Sequence, residues 1–233
     1  MTSDNYPHRV EHTANKHSRA VYTDDTIVIR LAKDLSEIEE QEHIEDLLRR
    51  MTQQLLEEAQ EKITINPFAR LLHGAQQELI TLATGKSYLF NLQPGEKLKA
   101  EKTERGWLVT VSPKTRREAL HRFLWKLLSR SEEARVSALI DRINRQTYRV
   151  HVPRIRFAFA TSQWGSCSPR GTIMINTAML FVPHFLMHYV IVHELAHRRR
   201  GDHSPTYWRL VGKMLPNYKK AVDVLLDYRL PNL

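Results

Sequence analysis

Four residues in the C-terminal part of the chain have the types and spacing of a metal-dependent hydrolytic site. His193 and His197 stand four residues apart within the run VIVHELAH. On a helix, that spacing projects both imidazoles from one face, about one turn apart. Glu194 follows the first histidine, off the ligand axis but close enough for its carboxylate to hold and deprotonate a water on the metal. His203 comes six residues after His197, just past Gly201. A glycine there can take the positive φ that ends a helix and turn a third imidazole back to the same point. Three protein ligands and one open position are the coordination of a catalytic zinc rather than a structural one. His184 and His188 repeat the spacing without a following glutamate and read as core or surface histidines.

These residues need elements to hold them. The apolar run that carries His193 predicts a helix, with Pro183 suited to its first turn. Upstream, IRFAFAT (Ile155 to Thr161) and Thr172 to Asn176 alternate as strands, joined through SQWGSC and a turn at Ser168-Pro169-Arg170-Gly171. Ser204-Pro205 starts a further helix, and Lys219 to Tyr228 forms a last short one. Thr115 to Ser129 is helical, continued by a second piece from Glu132 to about Arg145. Before it, ELITLA and SYLFNL flank Thr84-Gly85-Lys86, and KLKAEK and WLVTVS flank Arg105-Gly106, which predicts two hairpins in an antiparallel sheet. Asp25 to Leu31 reads as a strand. Ser36 with Glu39 forms a capping box for a long acidic helix whose apolar stripe runs Ile44, Leu47, Leu48, Met51, Leu55, Leu56, Ala59. Residues 1 to about 20 show neither period and read as a mobile tail.

Composition narrows the class. Apolar and charged fractions of 42% and 26% over 233 residues are those of a soluble globular protein. Cys167 is the single cysteine, which excludes an internal disulfide framework and reads as a small buried hydrophobe. With no signal-like or membrane-spanning run, a cytoplasmic location without membrane association is expected. The net charge of +9 is uneven: acidic residues dominate Asp34 to Glu61, and basic ones dominate Lys97 to Arg170. Such asymmetry fits either two solvated faces or an anionic partner such as nucleic acid.

The segments QWGSCSPRGTIMIN, Pro183 to Val190, HELAH and HSPTYW together resemble the YgjP-like metallopeptidases, relatives of the SprT-like proteases. The likeness is specific over residues 160 to 215 and looser upstream, where GKSYLF is similar to a hairpin segment of the family. It implies an α+β protein with a small zincin-like catalytic domain, built on an antiparallel β-sheet and an active-site helix and preceded by a β-hairpin-rich region. It further implies a zinc-dependent peptidase using one zinc ion, with His193, His197 and His203 as ligands and Glu194 as general base. Trp164, Gly165, Ser166 and Tyr207 are the candidate substrate contacts, the substrate being a protein or peptide. On this reading residues 1–20 are the tail, 21–70 a strand and acidic-helix extension, and 71–233 the metallopeptidase domain, with its catalytic core at about 115–233.

Two departures from the family pattern, Gln163 in place of arginine and Thr177-Ala178 in place of Trp-Arg, fall near the expected substrate edge. For the third ligand, no glutamate follows Glu194, leaving Asp223 and Asp227 as the carboxylate alternatives to His203. The metzincin pattern fits less well, because its glycine lies three residues after the second histidine and Gly201 lies four after His197. Two other functions compete. One is a nucleic-acid-associated protease acting on DNA-bound proteins, against which stands the lack of a cysteine cluster. The other is a metal-stabilised binding protein without catalysis, against which stands the intact Glu194.

Overall fold

The computed structural model describes residues 7–23, 26–59 and 62–231 and divides into two compact units, Met1–Lys62 and Ile63–Leu233. In the first, β1 (His8–His12) and β2 (Arg19–Thr23) flank β3 (Thr26–Leu31) in the order β1-β3-β2, and α1 (Glu37–Ala59) packs on them. The expected tail therefore carries one strand and the start of a second, with residues 1–6 outside the described residues. Both are edge strands with mostly exposed side chains, so main-chain pairing to β3 holds them and no periodic apolar face betrays them. The expected strand start, Asp25, also lies outside the described residues. The capping box forms: the Glu39 carboxylate accepts from the Ser36 N–H (2.9 Å), and the Glu39 N–H donates to Ser36 Oγ (3.4 Å). Leu47, Leu48, Met51 and Leu55 pack with Ile27, Ile29 and Leu31, while the side chains of Leu56 and Ala59 fall outside the described residues.

The second unit is α+β, with small sheets around a long helix. It opens with β4 (Ile63–Thr64) and α2 (Ala69–Leu72), followed by β5 (Gln77–Thr81), β6 (Ser87–Pro94), β7 (Lys99–Lys102) and β8 (Gly106–Val111). Both hairpins expected from the sequence form, but the sheet order is β5-β6-β8-β7 and β6 runs parallel to β8. The antiparallel expectation is corrected here. GWLVTV, with Trp107 and Val109 buried, takes the interior position, and the polar KAEK is left at the edge.

Next comes α3 (Arg117–Gln146), one continuous helix of 30 residues where the sequence suggested two pieces. Two serines at the join of those pieces bond back into it: Ser129 Oγ donates to Trp125 O (2.8 Å) and Ser131 Oγ to Leu127 O (3.0 Å). At about 45 Å, α3 reaches from the hairpin sheet to the sheet that carries the site. The hairpins grip it through Glu132, whose buried carboxylate accepts from Lys86 Nζ (2.8 Å), Tyr88 and Arg135, and through Trp107 Nε1, which donates to Ser131 Oγ (3.0 Å).

The second sheet holds β9 (Arg154–Ala158), β10 (Gly165–Cys167) and β11 (Thr172–Asn176) in the order β10-β11-β9. It is also mixed, antiparallel for β10 with β11 and parallel for β11 with β9. Asn176, fully buried at its end, organises the preceding loop: Nδ2 donates to the carbonyls of Ala160 and Gln163 (2.7 Å each), and Oδ1 accepts from the Ala178 N–H (3.0 Å). Thr177 and Ala178 are fully buried, and Thr177 Oγ1 lies 2.6 Å from Ser129 Oγ of α3. That departure from the family pattern sits in the core, not at a substrate edge.

Three helices complete the unit: α4 (His184–Ala196), α5 (Pro205–Met214) and α6 (Tyr218–Leu225). Leu186, Ile191, Val192, Leu195 and Ala196 are fully buried, so α4 is deeply embedded beyond its exposed first turn and its C-terminal residues hold a fixed position. The last helix ends at Leu225, short of the expected Tyr228. There β12 (Tyr228–Arg229) pairs with β4 and joins the two ends of this unit. Among the described residues, no helix is long and apolar enough to cross a membrane.

Candidate metal centre

The end of α4 and the loop after it bring three imidazoles together. His193 and Glu194 lie in the last turn and His197 occupies the C-cap in a helical conformation. The main-chain N–H groups of Arg199 and Arg200 both donate to Ala196 O (2.9 and 3.0 Å), which tightens the exit. Gly201 does not take the positive φ expected of it. The reversal is built instead around Asp202, whose Oδ1 accepts from Arg200 Nε (2.9 Å) and Ser204 Oγ (2.8 Å). Those two partners hold its carboxyl below the ordinary range. Ser204 then caps α5 through the Tyr207 N–H, so His203 is delivered between two anchored residues.

The result is geometrically specific. Nε2 of His193 lies 3.3 Å from Nε2 of His197 and 3.3 Å from Nε2 of His203, and ligand atoms of all three lie within 4.8 Å of one another. Zinc–nitrogen bonds of about 2.0–2.1 Å in a tetrahedron put neighbouring nitrogens about 3.3 Å apart. Two of the three separations, both from His193, thus match the edge length of a zinc coordination tetrahedron. Among the described residues, no carboxylate or thiol joins this group, and Asp223 and Asp227 lie outside it. His184 and His188 are likewise outside it.

The electrostatics favour metal over protons. Burial, reinforced by the neighbouring His197 and His203, lowers the His193 pKa to about 4, so its ring is neutral with a lone pair to give. His197 is lowered as well, mainly by burial. Its Nδ1 lies 3.3 Å from Arg200 O; donation there leaves Nε2 as the free acceptor. His193 Nδ1 is buried without a partner, leaving Nε2 as the atom through which this ring can be satisfied. Burial raises Glu194 to about 8, the signature of a carboxyl group in a dry site.

A cleft of about 530 Å³ opens over these residues, with His193, Glu194, His197 and His203 on one side and Gly165 to Pro169 on the other. Glycine is required at 165: a Cβ there would come within 2.8 Å of Glu194 Oε1 and 2.9 Å of Val190 Cγ1. Cys167 lines the cleft, its thiol pushed up by burial and by the Glu194 charge, and does not approach as a ligand.

Of the other expected substrate contacts, Gly165 and Ser166 face the cleft, whereas Trp164 packs against the core. Tyr207 is fully buried, and its role changes accordingly. Its hydroxyl donates to His193 O (2.9 Å) and its ring stacks on His197 at 4.6 Å, so it braces two of the three imidazoles from the buried side. Trp208 does the same beside His203 (5.7 Å) and is itself backed by Tyr218 (5.4 Å, near-parallel). Of the three consecutive arginines, only Arg198 lines the cleft, resting on Gly171 and donating to His151 O (3.2 Å). Arg199 is spent on Tyr148 O and Arg200 on Asp202.

This is a site suited to a divalent metal with a proton acceptor beside it. The chain matches the family model described as YgjP-like, metallopeptidase domain, over residues 15–228, and it belongs to the YgjP-like family of metallopeptidases. The match begins inside the first unit and takes in α1, for which the sequence motifs offered no counterpart. Among solved structures, the chain is similar to the metallopeptidase zymogen abylysin of Pyrococcus abyssi, at 26% identity over 41% of this chain and 99% of that one, with a TM-score of 0.36. No curated protein matches the chain.

Proposed function

We propose that the protein is a zinc-dependent peptidase, in which His193, His197 and His203 hold one zinc ion and Glu194 is the general base. The observation that carries this reading is the pair of 3.3 Å Nε2 separations beside a buried carboxylate at the floor of an open cleft. Bound zinc supplies Lewis acidity, polarising a scissile carbonyl and making a water molecule easier to deprotonate. The protein's own groups do the rest. Glu194 takes the proton from the attacking water and hands it to the leaving amine nitrogen, a transfer favoured by a carboxylate held dry and next to the reacting atoms. Gly165 leaves room for that carboxylate to turn between water and amine. The outer edge of β10 is unpaired within its sheet, so an extended polypeptide can add to it as a further strand, passing over the cleft with its backbone fixed.

Metal analysis and cleavage profiling of the wild type against Glu194→Gln test this. The variant is expected to keep one zinc per chain and to lose hydrolysis by a factor of 10² or more, on the order of general-base contributions. A Glu194→Gln protein that still cleaves peptides at the wild-type rate removes the general-base assignment. A wild type that binds zinc stoichiometrically and cleaves no unfolded protein favours a metal-stabilised binding role.

A further inference from the structure

The register across β10, β11 and β9 aligns two rows of side chains on the face of the sheet opposite Gly165. Ser166, Met174 and Arg156 form one row, and Thr172 and Arg154 the next, joined by Ser168 through its N–H to Thr172 O (2.9 Å). These rows floor a groove of about 360 Å³. Ser166 and Ser168 line this groove and the catalytic cleft alike, so the two adjoin at β10. No carboxylate lines the groove. Arg154 and Arg156 are both exposed and, among the described residues, neither takes part in an ion pair. They differ in this from the arginines after His197, which are anchored to main-chain carbonyls and to Asp202.

We infer that this groove is an acid-selecting subsite: a polypeptide leaving the cleft over Ser166 and Ser168 lays a carboxylate side chain between Arg154 and Arg156. The inference rests on the peptidase reading above and names its substrate class, polypeptides with an acidic residue a few positions from the cleaved bond. Guanidinium forks match carboxylates in geometry and charge. Met174 and Phe159 give the groove an apolar surface for the stem of the same side chain or its neighbour. A nucleic-acid backbone fits less well, because phosphate tracking needs an extended row of cations and this groove supplies two beside an apolar floor.

The test measures binding of two labelled peptides, identical except for glutamate against glutamine, to the full-length zinc-loaded Glu194→Gln protein, and hydrolysis of the same pair by the wild type. The glutamate peptide is expected to bind roughly threefold to tenfold more tightly at low salt, with the difference shrinking as salt screens the exposed pairs. Arg154→Glu with Arg156→Glu should abolish the preference and favour a lysine peptide, while the neutral Arg154→Gln with Arg156→Gln should erase it without reversal. Both sites are exposed, and near-wild-type melting of either variant checks that the fold is intact. Equal binding of the two peptides, or a preference that survives charge reversal, overturns the inference. So does an oligonucleotide that displaces the glutamate peptide and is itself lost on charge reversal, which would make the groove a nucleic-acid surface. If the wild type cleaves neither peptide while the arginine-dependent preference holds, the hydrolytic assignment falls and the groove stands. If both are cleaved and bound equally, the reverse is true.

Discussion

At the scale of single residues, the centre depends on groups that do no chemistry. Gly165 is the sharpest case, because any Cβ there intrudes on Glu194. Gly165→Ala should keep the metal and fold at a cost of about 1–3 kcal/mol. It should also lower kcat by displacing the base. Unchanged kcat with normal zinc content would show that Glu194 has slack the geometry does not reveal. Tyr207 acts on the ligands from behind. Tyr207→Phe keeps the ring on His197 and removes the bond to His193 O, so zinc should bind roughly tenfold more weakly in competition with a chelator. The pairing of His193 with His197 was legible because helix periodicity sets it. The use of Gly165 and Tyr207 was not, since both act on residues from another part of the chain.

At the scale of elements, the Glu132 network is the joint between the hairpin sheet and α3. Burial pushes this carboxyl up, but Lys86, Tyr88 and Arg135 outweigh that and hold it below its ordinary 4.5. A depressed carboxyl contributes stability above its unfolded pKa and loses it as pH falls through the folded value. Glu132→Gln should therefore cost about 1–3 kcal/mol at pH 7, discounted because both cations are partly exposed. The gap between variant and wild type should close as pH drops from about 5 towards 3. Urea midpoints at the two pH values measure this, and a pH-independent gap would remove the ionic explanation. The hairpins, the Ser36 capping box and the 168–171 turn were legible because each is a local pattern. The parallel β6–β8 pair, the continuity of α3 through Ser129 and Ser131, and the β4–β12 closure were not. Each depends on which segment outcompetes another for an interior place.

At the scale of the whole molecule, the proposed metal should count as part of the fold of the unit Ile63–Leu233, since the three imidazoles come from both the end of α4 and the loop before α5. A ligand present at about a thousandfold over its dissociation constant stabilises by about 4 kcal/mol, which for a unit of this size is roughly 8–16 °C in Tm. Chelation should lower the melting temperature by that amount, and His203→Ala should melt near the chelated wild type whether or not zinc is added. A His203→Ala protein with full zinc-dependent stabilisation would remove His203 from the ligand set.

By itself, the sequence determined the chemistry of the centre: which imidazoles share a helix face, which carboxylate lies beside them, and which family pattern surrounds them. These follow from local geometry, which a few residues specify without help. Only the tertiary structure decided that two imidazoles separated by a non-helical loop stand 3.3 Å apart, that Tyr207 is buried behind them, and that two unpaired arginines share a groove adjoining the cleft. Those outcomes come from strand register and from competition for burial, and both are settled by contacts between residues far apart in the chain.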